Sequence, residues 1–328
     1  IDKSKINKVL LITLSNIGDV ILTLPVLDVL RQEFPQAKFT VMAGTRSSKI
    51  FDNEPGIEVI IYNKAATLPE KINLLKQLRE KKFDLVVDLR HTAWGFFILP
   101  RYMTSPFLRI PSSLVHMKDR HMYRLRPILG SSSTVINKSW PTLSQRDKDY
   151  IERILLDNGI RQDDKIVVIC VGARSHIKRW KRYGFISLGN RLIEKFNIKL
   201  ILVGDESDAE LCLDIVHKMH KNALNLCGRT TIKQLAYLIK KASLVITNDS
   251  AVLHLASYLN APVLAIFGPT DPGKYGPWSK DFVLIRKQIQ CSPCQKAQCK
   301  FNHECMNLIQ TQEVFEAASK FLEIAERV

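Results

Sequence analysis

The segment Thr247-Asn248-Asp249-Ser250-Ala251-Val252-Leu253-His254 joins a short apolar run to an amphipathic one, and it decides the fold class. Residues 244–248 have the length and composition of a buried strand, and residues 251–259 those of a helix. At their junction stand an acid and a hydroxyl, and an imidazole follows. Backbone N–H groups and the helix dipole favour anions at such a helix start. The segment therefore predicts a strand followed by an anion-binding helix terminus.

The same alternation of strand and helix recurs in both halves of the chain. Further runs of strand length occupy residues 8–14, 38–44, 59–62, 84–89, 165–172, 199–205 and 263–267. Helical patterns separate them at residues 20–34, 69–81, 183–196, 207–221 and 231–241. Near-continuous Val, Ile and Leu strands joined by helices are typical of parallel sheets with both faces covered. We therefore predict an α/β protein with two doubly wound, Rossmann-like parallel-sheet domains that face one another.

The length of the chain also indicates two domains. With 328 residues, 46% of them hydrophobic, it exceeds the size at which a single core normally keeps growing. The charged segment 144–164 is the best linker, and Gly159 is placed to end a helix that begins near Ser144. We expect domains over residues 1–158 and 159–310, and a final segment 311–328 whose helix, over residues 312–327, needs a partner surface for its apolar side chains.

Composition limits the classes of function and location. The net charge of +16 implies an anionic partner: nucleic acid, a membrane surface or a phosphorylated substrate. No apolar run approaches the ~18–20 residues of a membrane-spanning helix. The basic and apolar start resembles a signal peptide but lacks a small-residue cleavage site, so we interpret it as a buried first strand. Seven cysteines do not suggest a disulfide scaffold, and we expect a reducing cytoplasm.

Ligands bind beyond the carboxyl ends of strands in open parallel sheets, which directs attention to the loops after the strands. In the first loop, residues 15–19, Gly18 permits a tight turn and Asp19 lies at a helix start, where a charged carboxylate is favoured and could accept a proton. A lone Asp in this position is also a common N-cap. The loop has neither a dinucleotide-binding nor a P-loop pattern, so redox chemistry and NTP hydrolysis are not supported.

Two further loops carry charge. Residues 172–182 contain five Lys or Arg and no acid, which favours a diphosphate site, although a solvated basic loop or a nucleic-acid patch with Trp180 stacking on bases has the same signature. Residues 204–208 are acidic, and an acid there can bind ribose hydroxyls or simply cap the next helix.

Four motifs in order resemble the heptosyltransferases of glycosyltransferase family 9. They are residues 15–25, which run from Ser15-Asn16-Ile17-Gly18-Asp19 to Pro25; Lys178-Arg179-Trp180; Asn248-Asp249-Ser250 with His254; and Gly268-Pro269-Thr270-Asp271-Pro272. The resemblance covers nearly the whole chain. It implies a GT-B fold with an N-terminal acceptor-binding domain, a C-terminal ADP-heptose-binding domain, a cleft between them, and a last helix that returns to the first domain. It also implies transfer of L-glycero-D-manno-heptose to the inner core of lipopolysaccharide, onto Kdo or heptose, with inversion and without a required cofactor.

The resemblance assigns roles to individual residues. Asp19 matches the general base that deprotonates the acceptor hydroxyl. Lys178 matches a basic residue that neutralises the leaving diphosphate, and Asp249 matches the residue that holds heptose hydroxyls. The other residues expected to bind or line the donor site are Arg179, Glu206 at the ribose, Ser250, His254 and Thr270.

A basic stretch lies in the half expected to bind the acceptor. Residues 101–126 contain six Lys or Arg and one acid, and Arg120, His121 and Arg124 are the candidate acceptor-binding residues. They could hold phosphate and Kdo carboxylate groups of an anionic lipid A-core acceptor and dock the protein on the inner membrane from the cytoplasmic side. A solvated helix face is the alternative interpretation.

Four cysteines cluster near the C-terminus, at Cys291, Cys294, Cys299 and Cys305. Four thiols could bind Zn or Fe tetrahedrally, although the spacing departs from paired C-x-x-C motifs and free or disulfide-bonded thiols are the alternative. A basic, metal-containing nucleic-acid-binding protein is a remote competing class. It would not explain the acids and glycines at strand ends, so we expect no nucleic-acid partner. A nearer alternative is a heptosyltransferase that acts on a protein or another glycan.

Overall fold

The computed structural model describes residues 2–92, 94–130 and 136–324. The chain divides into two compact units, Ile1–Thr142 and Leu143–Val328. The division falls before the predicted boundary at residue 158, because residues 145–157 form a helix of the second unit. Tyr150 of that helix donates to the carbonyl of Arg229 at 2.7 Å, and Glu152 pairs with Lys241 at 2.7 Å. The predicted linker is therefore part of the second unit's helical layer.

The first unit is built on a five-stranded parallel sheet of order β3-β2-β1-β4-β5. Its strands are β1 Lys8–Ile12, β2 Lys38–Ala43, β3 Ile57–Ile61, β4 Leu85–Asp88 and β5 Tyr102–Met103. Its helices are α1 Ile17–Ile21, α2 Leu24–Glu33, α3 Leu68–Glu80, α4 Trp94–Ile98, α5 Met117–Tyr123 and α6 Arg126–Leu129. β1 lies between β2 and β4 and is buried from Val9 onward, which confirms the interpretation of this apolar run as a strand.

The helix predicted over residues 20–34 is two helices. Pro25 has no N–H to continue the hydrogen-bond ladder and instead stands in the first turn of α2. The Thr23 hydroxyl between α1 and α2 donates to the carbonyl of Val20 at 2.7 Å. The break leaves α1 as a short helix directly after β1, and Asp19 lies in its first turn.

The second unit contains a six-stranded parallel sheet of order β11-β10-β9-β6-β7-β8. Its strands are β6 Ile166–Cys170, β7 Lys199–Val203, β8 Ala223–Asn225, β9 Leu244–Asn248, β10 Val263–Phe267 and β11 Phe282–Arg286. Its helices are α7 Gln145–Asp157, α8 Arg182–Phe196, α9 Ala209–Lys218, α10 Ile232–Lys241, α11 Ala251–Leu259, α12 Pro272–Tyr275, α13 Glu304–Asn307 and α14 Thr311–Ile324. All eight predicted strands are present, and the α/β prediction with two doubly wound parallel sheets is confirmed.

Three strands, β5, β8 and β11, were not predicted, and each lies at the edge of a sheet. An edge strand has one neighbour and is only partly covered by helices, so it needs no continuous apolar run. Their residues are accordingly half-buried or exposed, whereas β6, β9 and β10 are buried throughout.

The final helix, α14, is packed by residues of the second unit over its described length. Val314, Ala318 and Leu322 are buried in one cluster with Trp180 and Leu188. The apolar face of α14 packs against α8, which lies in the same unit. Within the described part of the chain, no helix combines the length and apolarity needed to cross a bilayer.

Candidate active site

The strand order of the second sheet places a ligand crevice beside β6. From β6 the chain builds outward to β7 and β8 on one side and to β9, β10 and β11 on the other. At such a switch point the loops after the two central strands diverge and leave a crevice at the carboxyl ends of the strands. The predicted donor-binding residues all lie in loops or helix starts that follow β6, β7, β9 and β10.

Lys178 and Asp249 meet across this switch point. Lys178 ends a short 3-10 turn after β6, and its Nζ lies 2.6 Å from Oδ2 of Asp249, the first residue after β9. The Asp249 side chain is 7% exposed and the Lys178 side chain 32% exposed. A carboxylate this buried is costly without a cation, so the pair holds both side chains in place. The sequence predicted both residues but not that they bind each other.

Asn248 fixes the backbone of the Lys178 loop. Its Oδ1 accepts from the backbone N–H of Trp180 at 3.0 Å, and its Nδ2 donates to the carbonyl of Val171 at 2.8 Å. The Trp180 indole is buried and donates to the carbonyl of Ile309 at 3.1 Å. Trp180 is therefore a core residue that anchors the loop, and it is not available to stack on nucleic-acid bases.

A second ion pair joins the loops after β6 and β7. Arg179 contacts Asp208 at 3.0 Å and donates from Nε to the carbonyl of Ala173 at 2.9 Å. Burial raises the pKa of Asp208, and Asp205 raises it further, while Arg179 opposes both. Gly172 is required beside this pair, because a Cβ there would lie 1.9 Å from the Asp208 carboxylate. Arg179 is thus bound within the protein itself, a role that the sequence did not indicate.

The start of α11 carries Ser250 and, one turn later, His254. The Ser250 hydroxyl accepts from the N–H of Val252 at 3.2 Å and lies 2.9 Å from the Thr247 hydroxyl, so it caps the helix. His254 is 5% exposed and stacks on Trp278, with ring centroids 5.6 Å apart. His254 lies in the protein interior behind the helix start. The local sequence contains no signal for this contact between His254 and Trp278.

Glu206 and Thr270 differ in exposure. Glu206 is exposed in the 3-10 turn after β7, and Gly228, which has a φ of +70°, approaches its backbone. Thr270 is buried in the loop after β10, one residue before Asp271, whose side chain accepts from the N–H of Gly273 and caps α12. Of these two residues, only Glu206 presents its side chain to solvent.

Asp19 lies at the corresponding edge of the first sheet, after β1 and near the switch between β1 and β4. It is in the first turn of α1 and not at its N-cap, which is Asn16. The Asn16 side-chain amide donates to Asp19 Oδ2 at 2.8 Å. The half-buried Asp19 side chain is therefore oriented by Asn16. Because Asn16 is the N-cap residue, the alternative interpretation of Asp19 as a simple N-cap does not describe its position.

The structure buries two of the three candidate acceptor-binding residues. His121 is 3% exposed and Arg124 6% exposed, because α5 packs against α2 and turns these side chains inward. Arg124 lies 3.4 Å from His91 Nδ1. Only Arg120 is partly exposed, and it donates to the carbonyl of Leu114 at 3.1 Å. His121 and Arg124 are therefore interior residues and do not form a solvated basic face.

The loop after β4 lies at the same edge of the first sheet as the loop of Asp19, and it was not among the predicted site loops. The Asp88 carboxylate accepts from the backbone N–H groups of Arg90 and Thr92, at 2.8 and 2.9 Å, and from the Thr92 hydroxyl at 2.6 Å. These bonds hold His91 at the loop tip with a φ of +54°. A signal existed, since this polar stretch follows a predicted strand in the same way as the loop of Asp19.

The interior position of His121 gives a pH prediction. Burial, and to a smaller extent the Arg124 charge, lowers the pKa of His121 from 6.5 to about 4. Between these values the unfolded chain binds a proton that the folded chain does not, so the free energy of unfolding falls as the pH drops from 6.5 towards 4. The loss amounts to about 3 kcal/mol. Urea unfolding at several pH values should show a smaller loss for His121→Gln, and parallel curves for the two proteins would contradict the prediction.

The four clustered cysteines line one pocket of about 100 Å³. Cys299 Sγ accepts from the N–H groups of Phe301 and His303 at 3.4 and 3.3 Å. Burial, together with the smaller effects of the nearby Cys291, Cys299 and Cys294, raises the pKa of the Cys305 thiol to about 11. In residues 2–92, 94–130 and 136–324, no three His, Cys, Asp or Glu side chains are arranged to hold a metal. The four thiols are donors of the type that Zn and Fe prefer, although their side chains do not converge on one point in this arrangement.

The chain is similar in sequence to proteins named as heptosyltransferases over nearly its whole length. Lipooligosaccharide heptosyltransferase 2 of Campylobacter jejuni is 27% identical over 312 residues, which cover 93% of this chain and 95% of that protein. Lipopolysaccharide heptosyltransferase 3 of Escherichia coli is 27% identical over 331 residues, with 93% and 96% covered.

Solved structures share the fold over almost the full length. A glycosyl transferase family 9 protein from Veillonella parvula superimposes with a TM-score of 0.85 at 21% identity, covering 98% of each chain. E. coli ADP-heptose LPS heptosyltransferase II gives 0.76 at 23% identity, with 97% and 99% covered. E. coli heptosyltransferase WaaC with ADP-2-deoxy-2-fluoro heptose gives 0.68 at 19% identity, also with 97% and 99% covered. The two sheets are therefore the Rossmann-like domains of a GT-B fold.

The family model described as glycosyltransferase family 9 (heptosyltransferase) matches residues 125–304, more than half of the chain. The match includes the Lys178 loop, the β9–α11 junction and three of the four clustered cysteines, Cys291, Cys294 and Cys299. The chain belongs to glycosyltransferase family 9, the heptosyltransferases.

Proposed function

We propose that this protein is an inverting heptosyltransferase that moves heptose from ADP-L-glycero-D-manno-heptose to the inner core of lipopolysaccharide. Kdo or heptose would be the acceptor sugar. The observation that carries the proposal is the Lys178–Asp249 pair at the switch point of the second sheet, in a chain of this family. The names of its relatives support the sugar and the glycolipid, and the donor analogue in the WaaC structure supports ADP.

In this proposal the second unit binds the donor. Lys178 turns from Asp249 towards the diphosphate, and Asp249 accepts hydrogen bonds from heptose hydroxyls. The start of α11 at Ser250 directs N–H groups at the phosphates, with His254 behind it. Glu206, which is exposed, accepts from the ribose. Arg179 and Thr270 complete the donor site, Arg179 chiefly by holding its loop to Asp208.

The first unit supplies the base. Asp19 takes the proton of the acceptor hydroxyl while that oxygen attacks the anomeric carbon from the face opposite ADP. A new glycosidic C–O bond forms as the bond to the diphosphate breaks, and ADP leaves with the electron pair. The anomeric carbon inverts, and the charge that develops on ADP is stabilised by Lys178 and the start of α11. No cofactor takes part in this step.

A transfer assay tests the function directly. Purified protein is incubated with ADP-heptose and either Kdo2-lipid A or a heptosylated core, and the products are analysed by mass spectrometry. Addition of one heptose to one of these acceptors is expected, and the preferred acceptor separates a first from a later transferase. If ADP stabilises the protein but neither acceptor is modified, the acceptor is a protein or another glycan. The GT-B fold and the family leave these alternatives open.

Nucleotide and nucleic-acid binding are compared in the same preparation. ADP at millimolar concentration should raise the melting temperature, because a ligand that binds only the folded state stabilises it. Salt-sensitive binding of duplex DNA without stabilisation by ADP would instead favour a nucleic-acid-binding protein. The burial of Trp180 supports the first outcome.

The metal prediction for the cysteine pocket remains a proposal. A Zn or Fe ion would require Cys291, Cys294, Cys299 and Cys305 to close around the pocket they line. We expect about one equivalent of metal per chain, measured by elemental analysis after purification without a metal-affinity column. Cys294→Ser should lose it, whereas Cys212→Ser, a buried cysteine in α9, should retain it. Metal-free wild-type protein would end the proposal.

A cytoplasmic location at the inner membrane completes the proposal, because the acceptor is anchored there by its lipid. The net charge of +16 supports attraction to anionic headgroups. Arg120 is the one predicted acceptor-binding residue that is partly exposed, and we propose that it contacts acidic groups of the lipid A-core acceptor.

A further inference from the structure

The first unit exposes a group of large apolar side chains on and beside α4. Phe96 and Phe97 of α4 are 44% and 52% exposed, Leu99 is 73% exposed, and Phe107, in the loop after β5, is 82% exposed. The Phe96 and Phe107 rings lie 6.2 Å apart, so the helix and the loop form one surface. We call these four residues the α4 surface. Four large exposed apolar side chains in one short segment, two of them with neighbouring rings, make this part of the surface a candidate interaction site.

The backbone holds these side chains outward. The neighbours Gly95 and Ile98 are buried, and the carbonyl of Phe97 accepts from Arg79 Nε at 2.6 Å, which fixes α4 to α3. Leu99 has a φ of +57°, in the left-handed region that leucine rarely adopts. The Leu99 side chain is exposed in this conformation. Packing in the core therefore does not explain why Leu99 adopts a left-handed backbone.

The segment that carries the α4 surface is basic. Residues 89–118 contain four Lys or Arg and no Asp or Glu. Arg101 follows two residues after Leu99, and Arg109 two residues after Phe107, and both arginines are exposed. Trp94 and Tyr102, residue types enriched where protein meets lipid headgroups, lie half-buried in the same segment.

We propose that the α4 surface docks on an anionic lipid bilayer. Its apolar side chains enter the headgroup–acyl boundary, while Arg101 and Arg109 bind headgroup phosphates. A second copy of the chain fits this surface poorly, since a two-fold contact would place the same arginines against each other without acids from this segment. The proposal rests on the proposed function in one respect: an acceptor anchored by its lipid would be presented in the bilayer to the unit that carries Asp19.

Vesicle sedimentation tests the docking surface. The wild-type protein should bind vesicles rich in phosphatidylglycerol and bind phosphatidylcholine vesicles much less. Leu99→Ser combined with Phe107→Ser should weaken binding by about 10²-fold, roughly 10-fold for each apolar side chain removed from the bilayer. Arg101→Ala with Arg109→Ala should weaken it by about 10-fold or more and remove most of its salt dependence.

The matched control is Leu156→Ser with Leu213→Ser, two leucines of the second unit that are 71% and 49% exposed. This variant should bind vesicles like the wild type. Undiminished binding by the Leu99/Phe107 variant would overturn the proposal. So would a wild-type protein that ignores anionic vesicles, or one that self-associates through Phe107.

Activity measurements separate this proposal from the function itself. The Leu99/Phe107 variant should transfer heptose normally to a water-soluble, delipidated acceptor and poorly to an acceptor embedded in vesicles. Equal loss on both acceptors would contradict a docking role. If the wild type transfers heptose to neither acceptor, the proposed function is wrong. The vesicle-binding experiment then still tests the docking surface independently.

Discussion

Asp19→Asn is expected to lower the rate of heptose transfer by at least about 10²-fold and to leave ADP affinity unchanged. An amide cannot take the proton of the acceptor hydroxyl, and a positioned general base contributes about 10²–10⁴ in rate. The substitution is nearly isosteric, and the amide oxygen can still accept the 2.8 Å hydrogen bond from Asn16. Turnover is measured at saturating donor and acceptor, and ADP binding by calorimetry.

The control for this variant is Asp52→Asn, which changes an exposed aspartate of the same unit and should leave both quantities unchanged. Near-normal turnover by Asp19→Asn would exclude Asp19 as the base. A marked drop in melting temperature would instead indicate that the carboxylate serves the structure of α1. If protonation of Asp19 causes the fall in the wild-type rate at low pH, the residual activity of the variant should not show that fall.

Lys178→Ala is expected to reduce turnover by about 10²–10³-fold, because it removes the cation proposed to stabilise the departing diphosphate. Donor affinity should fall as well, since the bound diphosphate is already charged. The variant also leaves Asp249 buried without its 2.6 Å partner, which should lower the free energy of unfolding by roughly 1–3 kcal/mol. The first effect is functional and the second structural.

Two further variants separate these effects. Lys178→Ala combined with Asp249→Asn removes the unpaired carboxylate, so stability should recover while turnover stays low. Lys195→Ala, which breaks an exposed ion pair with Glu323 in the same unit, is the matched control and should change neither quantity appreciably. If Lys178→Ala alters stability but neither turnover nor ADP affinity, Lys178 is a structural residue and the leaving-group assignment is wrong.

The covered strands were predictable, whereas three of the four edge strands were not; only β3, at the edge of the first sheet, was predicted. β6, β9 and β10 are apolar at nearly every position because helices cover both faces of the sheet. Such a continuous apolar run can be recognised in the sequence alone. β8 and β11 need only one apolar face, and β5 pairs through two residues, so none of them leaves a comparable pattern. The split between α1 and α2 was signalled by Pro25 but was hidden by the amphipathic run around it.

Helix neighbours were equally invisible in the sequence. The apolar residues of α7 and α14 show that each helix needs a partner, but the pattern does not name the partner. α7 packs on α10 and α14 on α8, which moved the unit boundary to residue 142 and kept the last helix in the second unit. For His121 and Arg124, too, the sequence did not show which elements pack over α5. That packing decides whether their side chains are buried or exposed.

By itself, the sequence determined the α/β class, the order of strands and helices, and the loops in which Asp19, Lys178 and Asp249 lie. These features depend on local composition and on the spacing of residues along the chain. Tertiary structure alone decided which of these residues meet: that Lys178 binds Asp249, that Arg179 binds Asp208, and that Phe96 and Phe107 share one exposed surface. Strand order brings together loops that are distant in the chain, and burial depends on what packs above each residue, so neither is encoded in local sequence.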